Sequence, residues 1–215
     1  KSYYSNEELN ESSHPLWMKI ILAVLAGFFS LFFSQFGISV FIESFRIDLP
    51  WSLIAPMMIS IAFGVRFGLI AGISGGALHP FFLWTSNGYP NILTFILLMI
   101  FYGMLGLLAN IKNRTTSNNV LRKLFIILVI FNVLLFVGYY FLFEPLITLN
   151  PPFWYSDTIK TIDRSILLNF IIKDSINFIL LAFSAEIFLC LPAIRRLFGL
   201  EITPAMKLND RIFLS

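Results

Sequence analysis

Residues 49–84 read LPWSLIAPMMISIAFGVRFGLIAGISGGALHPFFLW, two apolar stretches joined at the single charged residue Arg66. A helix needs about 20 apolar residues to cross a hydrocarbon core of roughly 30 Å, so each stretch suits one short span. A re-entrant loop would leave Arg66 near mid-membrane, where a charge costs several kcal/mol. The stretch therefore predicts two membrane spans, 49–65 and 67–84, which form a tight hairpin with Arg66 at the surface.

The rest of the chain has the same apolar character. Of its 215 residues, 58% are hydrophobic and 13% are charged, which lies outside the range of soluble domains. Four further runs are long enough to span a membrane: 17–36, 92–111, 120–143 and 165–197. We predict an all-α integral membrane protein that forms a bundle of six transmembrane helices in contact with membrane lipids. We expect it in the plasma membrane, such as the inner membrane of a bacterium.

Lys and Arg are distributed unequally between the two sets of connections. Eleven lie on one side of the predicted spans: Lys1, Lys19, Arg66, Lys112, Arg114, Arg122, Lys123, Arg195, Arg196, Lys207 and Arg211. Three lie on the other side: Arg46, Lys160 and Arg164. Because cytoplasmic connections carry the excess of Lys and Arg, both termini are predicted to be cytoplasmic, an N-in and C-in topology.

Composition divides the chain into three parts. Residues 1–16 form a polar cytoplasmic segment without the apolar core of a signal peptide, and residues 17–198 form the membrane domain. Residues 199–215 form a cytoplasmic segment or the start of a connection to a further domain, since Asn209 or Asp210 suits the N-cap of a helix. The chain also starts without Met, and we expect it to be a piece of a longer protein.

The composition limits the chemistry as well. One Cys and two His exclude a disulfide framework and any Cys/His metal site. The net charge of +3 is weak and follows the topology, so no nucleic-acid partner is expected. No GxSxG, HExxH or P-loop motif is present. We therefore expect no catalytic residues, no metal and no cofactor in this segment, and we interpret its chemistry as recognition.

Small residues recur at four-residue spacing in the first and third predicted spans, where they let helix backbones approach closely. The residues concerned are Ala23, Gly27, Gly68, Gly72 and Gly76. Both stripes are predicted to pack inside the bundle. For the first span, the alternative is docking of a membrane partner subunit through helix 1. Gly88, in contrast, is predicted to lie at a loop tip that accepts a larger side chain.

Ionisable residues inside a span are functional hypotheses by default, and the sixth span carries Lys173, Asp174 and Glu186. At about 100° per residue, Asn169, Lys173 and Asn177 share one helix face in the outer half of that span. This face is either the wall of a binding pocket or a place where Lys173 extends to the interface. Asp174 lies at its edge, where it forms either a salt bridge with another helix or a ligand contact. Glu186 points away from this face and has either a structural role, which we favour, or a role in a proton relay.

Other candidate groups lie near the same predicted depth. His79 is either a packed, hydrogen-bonded residue or a ligand contact. The aromatic run 153–155 is either an interfacial belt or a ring platform over a ligand. Residues 37–49 are predicted to lie over the mouth of the bundle as a lid. We expect a small polar or heteroaromatic molecule bound from outside by these residues: Asn169, Lys173, Asn177, His79, Trp154 and Tyr155.

The sequence of residues 49–84 resembles the second and third spans of the S-components of energy-coupling-factor transporters, above all the thiamine-binding type. A short helix with Pro56, a turn with one Arg and a Gly-rich third helix follow in the same order, and RSILLN at 164–169 is similar as well. The resemblance covers roughly residues 17–198. It implies six spans and an outward-facing pocket under the first and fifth connections.

Within this resemblance, Asn169 matches a ligand-contacting Asn of the thiamine type, and Trp154 matches its stacking aromatic residue. Thr94 stands where that type carries a Glu, so the resemblance does not extend to thiamine itself, whose cationic ring would lose a carboxylate partner. The Ala-xxx-Ala docking motif of the family corresponds here to Ala23 and Gly27.

Three functions remain open at this point. We favour the sensory input module of a larger membrane signalling protein of the histidine kinase or cyclase type, because the chain reads as part of a longer one. The first alternative is the substrate-capture S-component of a vitamin uptake transporter. The second is a structural membrane bundle that binds a partner, which the polar face of the sixth span makes least favoured.

Overall fold

The computed structural model describes residues 12–42, 45–109 and 117–200. Within these residues the chain folds as a helical bundle with one short β-hairpin. Three helices are long and apolar enough to cross a membrane: Leu16–Phe36, Val120–Thr148 and Arg164–Phe188. Two shorter apolar helices accompany them, Trp51–Phe63 and Pro90–Gly106. The helical fold and the presence of apolar helices of spanning length, both predicted from the sequence, are confirmed.

The helices and strands follow in this order. The helices are α1 (Leu16–Phe33), α2 (Ile54–Phe63), α3 (Val65–Ala71), α4 (Pro80–Leu83), α5 (Pro90–Gly106), α6 (Ser117–Gly138), α7 (Glu144–Thr148), α8 (Arg164–Phe188) and α9 (Pro192–Leu197). Two π-helical turns interrupt them, Gly72–Gly76 and Tyr139–Phe143. The strands are β1 (Ile38–Ile42) and β2 (Phe45–Leu49).

The segment predicted as a lid is the β-hairpin. Strands β1 and β2 pair antiparallel, with Ile38 opposite Leu49 and Ile42 opposite Phe45. Their β-branched and aromatic residues favour strand over helix. The indole N–H of Trp51 donates to the carbonyl of Phe36 at 2.7 Å, which joins the two ends of the hairpin to the end of α1.

Helix α1 packs on the third predicted span through its small residues. Ala23 is fully buried, and a Cβ atom at Gly27 would overlap the hydroxyl of Ser74 and the carbonyl oxygen of Ala71. A Cβ atom at Gly75 would lie only 2.6 Å from the carbonyl carbon of Gly27. The two backbones therefore touch, which only glycine permits at both positions. This face of α1 lies inside the bundle, covered by residues of the same chain.

The glycine stripe of the third predicted span faces α2 and α5. A Cβ atom would meet Ser60 at Gly68, Met99 at Gly72 and Pro56 at Gly76. At Gly72 the separation from the Met99 sulfur would be 2.6 Å, and at Gly76 the separation from the Pro56 Cγ would be 2.9 Å. These glycines hold the third predicted span, residues 67–84, in the centre of the bundle between α1, α2 and α5. We call this span the third segment.

The third predicted span is a broken helix: the backbone leaves helical geometry at Gly75, and Pro80 begins the next short helix. Proline has no N–H to donate to the carbonyl four residues earlier, which is that of Gly76. The hydroxyl of Tyr102 donates to this carbonyl at 3.0 Å, and Nδ1 of His79 lies 3.2 Å from the same oxygen. A backbone carbonyl inside a membrane needs such a partner, because no water is available there.

One end of the bundle joins the N-terminal and C-terminal parts of the described chain. The hydroxyl of Ser12 donates to the carbonyl of Phe198 at 2.7 Å, and the amide of Ser13 donates to the carbonyl of Gly199 at 2.9 Å. The Phe63 and Phe198 rings lie 5.3 Å apart, so the turn between α2 and α3 is at this end too. We call residues 12–14 and 197–199 the terminal clip.

The opposite end carries the loop 84–89 and the connection 149–163, which the side chain of Asn150 joins. Its amide nitrogen donates to the carbonyls of Asn87 at 3.0 Å and of Ile159 at 2.8 Å. Its amide oxygen accepts from the Tyr89 amide at 3.0 Å. The nitrogen and the oxygen of the Asn150 amide thus both bond to backbone and join the two loops into one layer. We call this side chain and its three bonds the Asn150 bracket.

Gly88 lies in this layer, and the expectation of a tolerant loop tip was wrong. It is buried with a φ of +68°, a backbone conformation that side chains with a Cβ rarely adopt. An added Cβ atom would overlap the amide of Asn150. A larger residue at Gly88 would therefore disrupt the junction of the two loops.

Gly27→Ala is expected to destabilise the bundle by about 1–3 kcal/mol, because the added methyl group collides with backbone. Gly103→Ala is the matched control: it also lies within a helix, but its Cβ atom would meet only the Leu69 Cδ2 at 3.9 Å. Melting temperatures of the two variants in the same detergent measure the difference. Equal melting temperatures would contradict the close contact between α1 and the third segment.

Candidate functional site

A cavity of about 290 Å³ lies between α5, the second π-helical turn and α8, beside the loop 84–89. Its lining residues are Trp84, Asn87, Thr94, Tyr139, Phe143, Ile166, Asn169, Phe170, Lys173 and Asp174. Apolar and aromatic walls with a few convergent polar groups are typical of small-molecule sites. This cavity is therefore the candidate functional site.

The polar groups of the cavity form a chain of contacts. The ammonium of Lys173 lies 3.5 Å from Oδ1 of Asp174, and the hydroxyl of Tyr139 donates to Oδ2 of Asp174 at 3.1 Å. The hydroxyl of Thr94 lies 3.1 Å from that of Tyr139 and 3.3 Å from the carbonyl oxygen of Pro90, and its single proton serves one of these two contacts. The buried carboxylate thus has a partner at each oxygen, which offsets the cost of its burial.

Tyr139 reaches the cavity because of the π-helical turn. Pro145 has no N–H to donate to the carbonyl of Phe141, so the hydrogen-bonding register changes just before α7. The Tyr139 and Phe143 rings both turn inward and lie 5.2 Å apart. Single π-helical turns inside helices frequently occur at functional sites, because they redirect side chains in this way.

Lys173 is held at the cavity by aromatic rings. Its ammonium lies 4.8 Å from the centre of the Trp84 ring and 5.5 Å from the centre of the Phe170 ring, within the range of cation–π attraction. Only 15% of its side chain is exposed. The ammonium therefore lines the cavity, and this geometry differs from an extended lysine at the membrane interface.

The sequence-predicted residues of α8 and the third segment are only partly brought together. Asn169 and Lys173 line the cavity. Asn177 is buried one turn further along α8 and is not part of the lining. His79 is buried against Gly76 and touches the site only indirectly, because its ring lies 5.5 Å from that of Trp84.

The aromatic run of the second loop lies elsewhere. Trp154 packs edge-on against Phe81 and Tyr89, with ring centres 6.0 and 5.4 Å apart. Neither Trp154 nor Tyr155 lines the cavity. Phe153 is 94% exposed, which suits an interfacial aromatic belt. The ring that faces the cavity from the loops is Trp84, which the sequence did not single out.

Two larger concavities are more apolar. One of about 460 Å³ lies between α6 and α8 and is lined by Phe125, Leu128, Val129, Asn132, Val133, Phe136, Ile179 and Phe183. The other, of about 440 Å³, lies between α1 and α4. Asn132, the one amide of the first groove, donates to the carbonyl of its own helix at Leu128. Such apolar surfaces suit lipid chains.

Over the described ranges, no three His, Cys, Asp or Glu residues lie close enough together to hold a metal ion. No protein-family model, no curated protein and no solved structure matches this chain. The interpretation of the site therefore rests on its own geometry.

Tyr139→Phe is expected to lower the free energy of unfolding by about 1–3 kcal/mol, because one oxygen of the buried Asp174 carboxylate loses its donor. Tyr140→Phe is the matched control, since it removes the same hydroxyl from the next residue, whose half-exposed ring stacks on Phe136. Thermal unfolding in detergent compares the two. A larger loss in Tyr140→Phe than in Tyr139→Phe would contradict the role of the Tyr139 hydroxyl.

Proposed function

We propose that this chain is a membrane-embedded domain that binds a small polar or heteroaromatic molecule in an outward-facing pocket. The observation that carries the proposal is the cavity in which the Lys173 and Asp174 pair, Asn169 and Trp84 meet. Polar and charged groups inside a membrane bundle are costly and cluster where they have a function. This cluster favours ligand binding over a bundle that only binds a partner protein.

The proposed topology has six spans with both termini in the cytoplasm of a cell whose plasma membrane holds the domain. The excess of Lys and Arg on one side of the sequence supports it. The terminal clip and the turn that carries Arg66 lie at one end, as an even number of spans requires. The loop 84–89 and the cavity would then lie towards the outside.

Among the uses of such a pocket, we favour sensory input to a signalling protein of the histidine kinase or cyclase type. Helix α8 carries Asn169, Lys173 and Asp174 and continues through α9 into the terminal clip. Its 25 residues correspond to about 37 Å of helix, enough to connect a pocket on one side with a response on the other. Displacement of one helix by a ligand is a known form of switching.

The alternative is an S-component that captures a vitamin-like molecule for uptake, which the resemblance of residues 49–84 supports. In that case the docking surface on the coupling module needs a different place from the one implied by the family motif. The face with Ala23 and Gly27 is covered by residues 71–75 of the same chain. Docking through helix 1 would therefore use its opposite, apolar face, which includes Leu25 and Phe32.

Asn169→Ala is expected to weaken ligand binding by roughly 5- to 150-fold, the equivalent of about 1–3 kcal/mol for a lost buried hydrogen bond. A thermal-shift screen of vitamins, nucleobases and amino acids on the purified protein supplies the ligand, and calorimetry measures its affinity. Leu168→Ala, an exposed neighbour on α8, is the control. Unchanged affinity in Asn169→Ala would remove the cavity as the binding site.

The ligand obtained from this screen also distinguishes a sensory domain from an S-component that captures its substrate. A nitroxide at Ser13→Cys, in a Cys190→Ser background, reports on the terminal clip. A spectral change on ligand addition supports transmission along α8, and an unchanged spectrum at saturating ligand supports capture.

The topology predicts that a cysteine at position 156 reacts with a membrane-impermeant thiol reagent in intact cells, whereas a cysteine at position 116 does not. Both variants, Ser156→Cys and Thr116→Cys, are made in the Cys190→Ser background, and permeabilised cells provide the control for reactivity. Labelling of position 116 from outside would contradict the N-in, C-in arrangement.

A further inference from the structure

We infer, on the basis of the proposed function, that the cavity selects a small ligand with an anionic group, such as a carboxylate, attached to a flat apolar body. The charged groups around the cavity differ in how much of their hydrogen-bonding capacity is already used by partners within the protein. This difference, and the position of the rings, determine the class of molecule that fits.

The carboxylate of Asp174 is occupied by the protein itself. Lys173 lies 3.5 Å from one oxygen, and the Tyr139 hydroxyl donates to the other at 3.1 Å. Only 9% of the side chain is exposed. A cationic ligand would have to displace one of these partners, so Asp174 is a poor site for an ammonium or a cationic ring.

The ammonium of Lys173 keeps binding capacity. It has three N–H donors, and the contact with Asp174 uses one of them. Its other neighbours are the faces of Trp84 and Phe170, which attract the charge but are weak acceptors. An anion in the cavity would therefore gain a charge-assisted hydrogen bond from Lys173, and such bonds are about twice as strong as neutral ones.

Amides extend this donor surface. Asn169 lies one turn from Lys173 on α8, and Asn87 lines the cavity from the loop above. Both side chains can donate through their NH₂ groups. A carboxylate at this wall would thus meet an ammonium and up to two amides, whereas a cation would face the like charge of Lys173, which selects against it.

The remaining walls of the cavity determine the apolar part of the ligand. The rings of Trp84, Phe143 and Phe170 and the side chain of Ile166 line the cavity. Its volume of about 290 Å³ lies at the lower limit of the roughly 300–1,000 Å³ typical of ligand pockets. One ring with an acidic substituent suits this space better than a larger, flexible molecule does.

Benzoate, benzamide and benzamidinium test the inference, because they have nearly the same shape and differ in charge. Calorimetry or thermal shift on the wild-type protein is expected to give benzoate at least roughly tenfold higher affinity than benzamide, with benzamidinium weakest. The comparison needs no variant to fold. Equal or tighter binding of benzamide or benzamidinium would overturn the preference for anions and leave the proposed pocket standing.

Variants of Lys173 test whether this residue causes the preference for benzoate over benzamide. Lys173→Gln should abolish the difference between benzoate and benzamide, and Lys173→Arg should keep it, since the positive charge remains. Benzoate preference retained in a folded Lys173→Gln variant would overturn the assignment. If neither the three probes nor any compound of the wider screen binds, the proposed function fails together with the inference.

Discussion

Inside a membrane every backbone polar group must find its partner within the protein, and this constraint shapes the two breaks in the helices of the described chain. Two prolines create this need for a partner, because each removes a backbone N–H donor from a helix. Pro80 leaves the carbonyl of Gly76 without its helical donor, and Tyr102 supplies one. Pro145 shifts the hydrogen-bonding register of its helix, which turns Tyr139 towards Asp174. Both breaks in helical regularity therefore lead directly to side-chain bonds across the bundle.

The close contact of α1 with the third segment supports this arrangement. The backbones meet at Gly27 and Gly75, and the break that follows carries the chain to Trp84. Trp84 then covers the ammonium of Lys173 on a different helix. A side chain larger than hydrogen at the first contact would displace the third segment and, with it, the ring that closes one side of the cavity.

The sequence allowed the apolar helices and the shared face of Asn169 and Lys173 to be predicted, because both follow from helical periodicity. The facing of Tyr139 could not be predicted, since a π-helical turn begins at this residue and changes the angle at which side chains project. His79 was placed by depth alone, whereas in the structure its ring lies against the carbonyl of Gly76, which lacks a helical donor because of Pro80.

The sequence also could not show which aromatic residue faces the cavity. Trp84 and Trp154 both belong to loops rich in rings, and which one faces the cavity depends on how Asn150 joins those loops. That bracket consists of bonds between one side chain and the backbone, and no periodicity in the sequence predicts such bonds. The β-hairpin at 38–49 was not predicted for a related reason, because its pairing depends on backbone bonds between two strands rather than on a helical repeat.

The bracket at Asn150 also has a kinetic meaning. Its bonds to Asn87, Tyr89 and Ile159 hold two loops beside the cavity as one layer. Exchange of a molecule between these loops would require these bonds to break. Such a barrier slows association and dissociation by the same factor and leaves the equilibrium constant unchanged. For a molecule that exchanges by this route, the residence time would therefore depend on a residue that does not line the cavity.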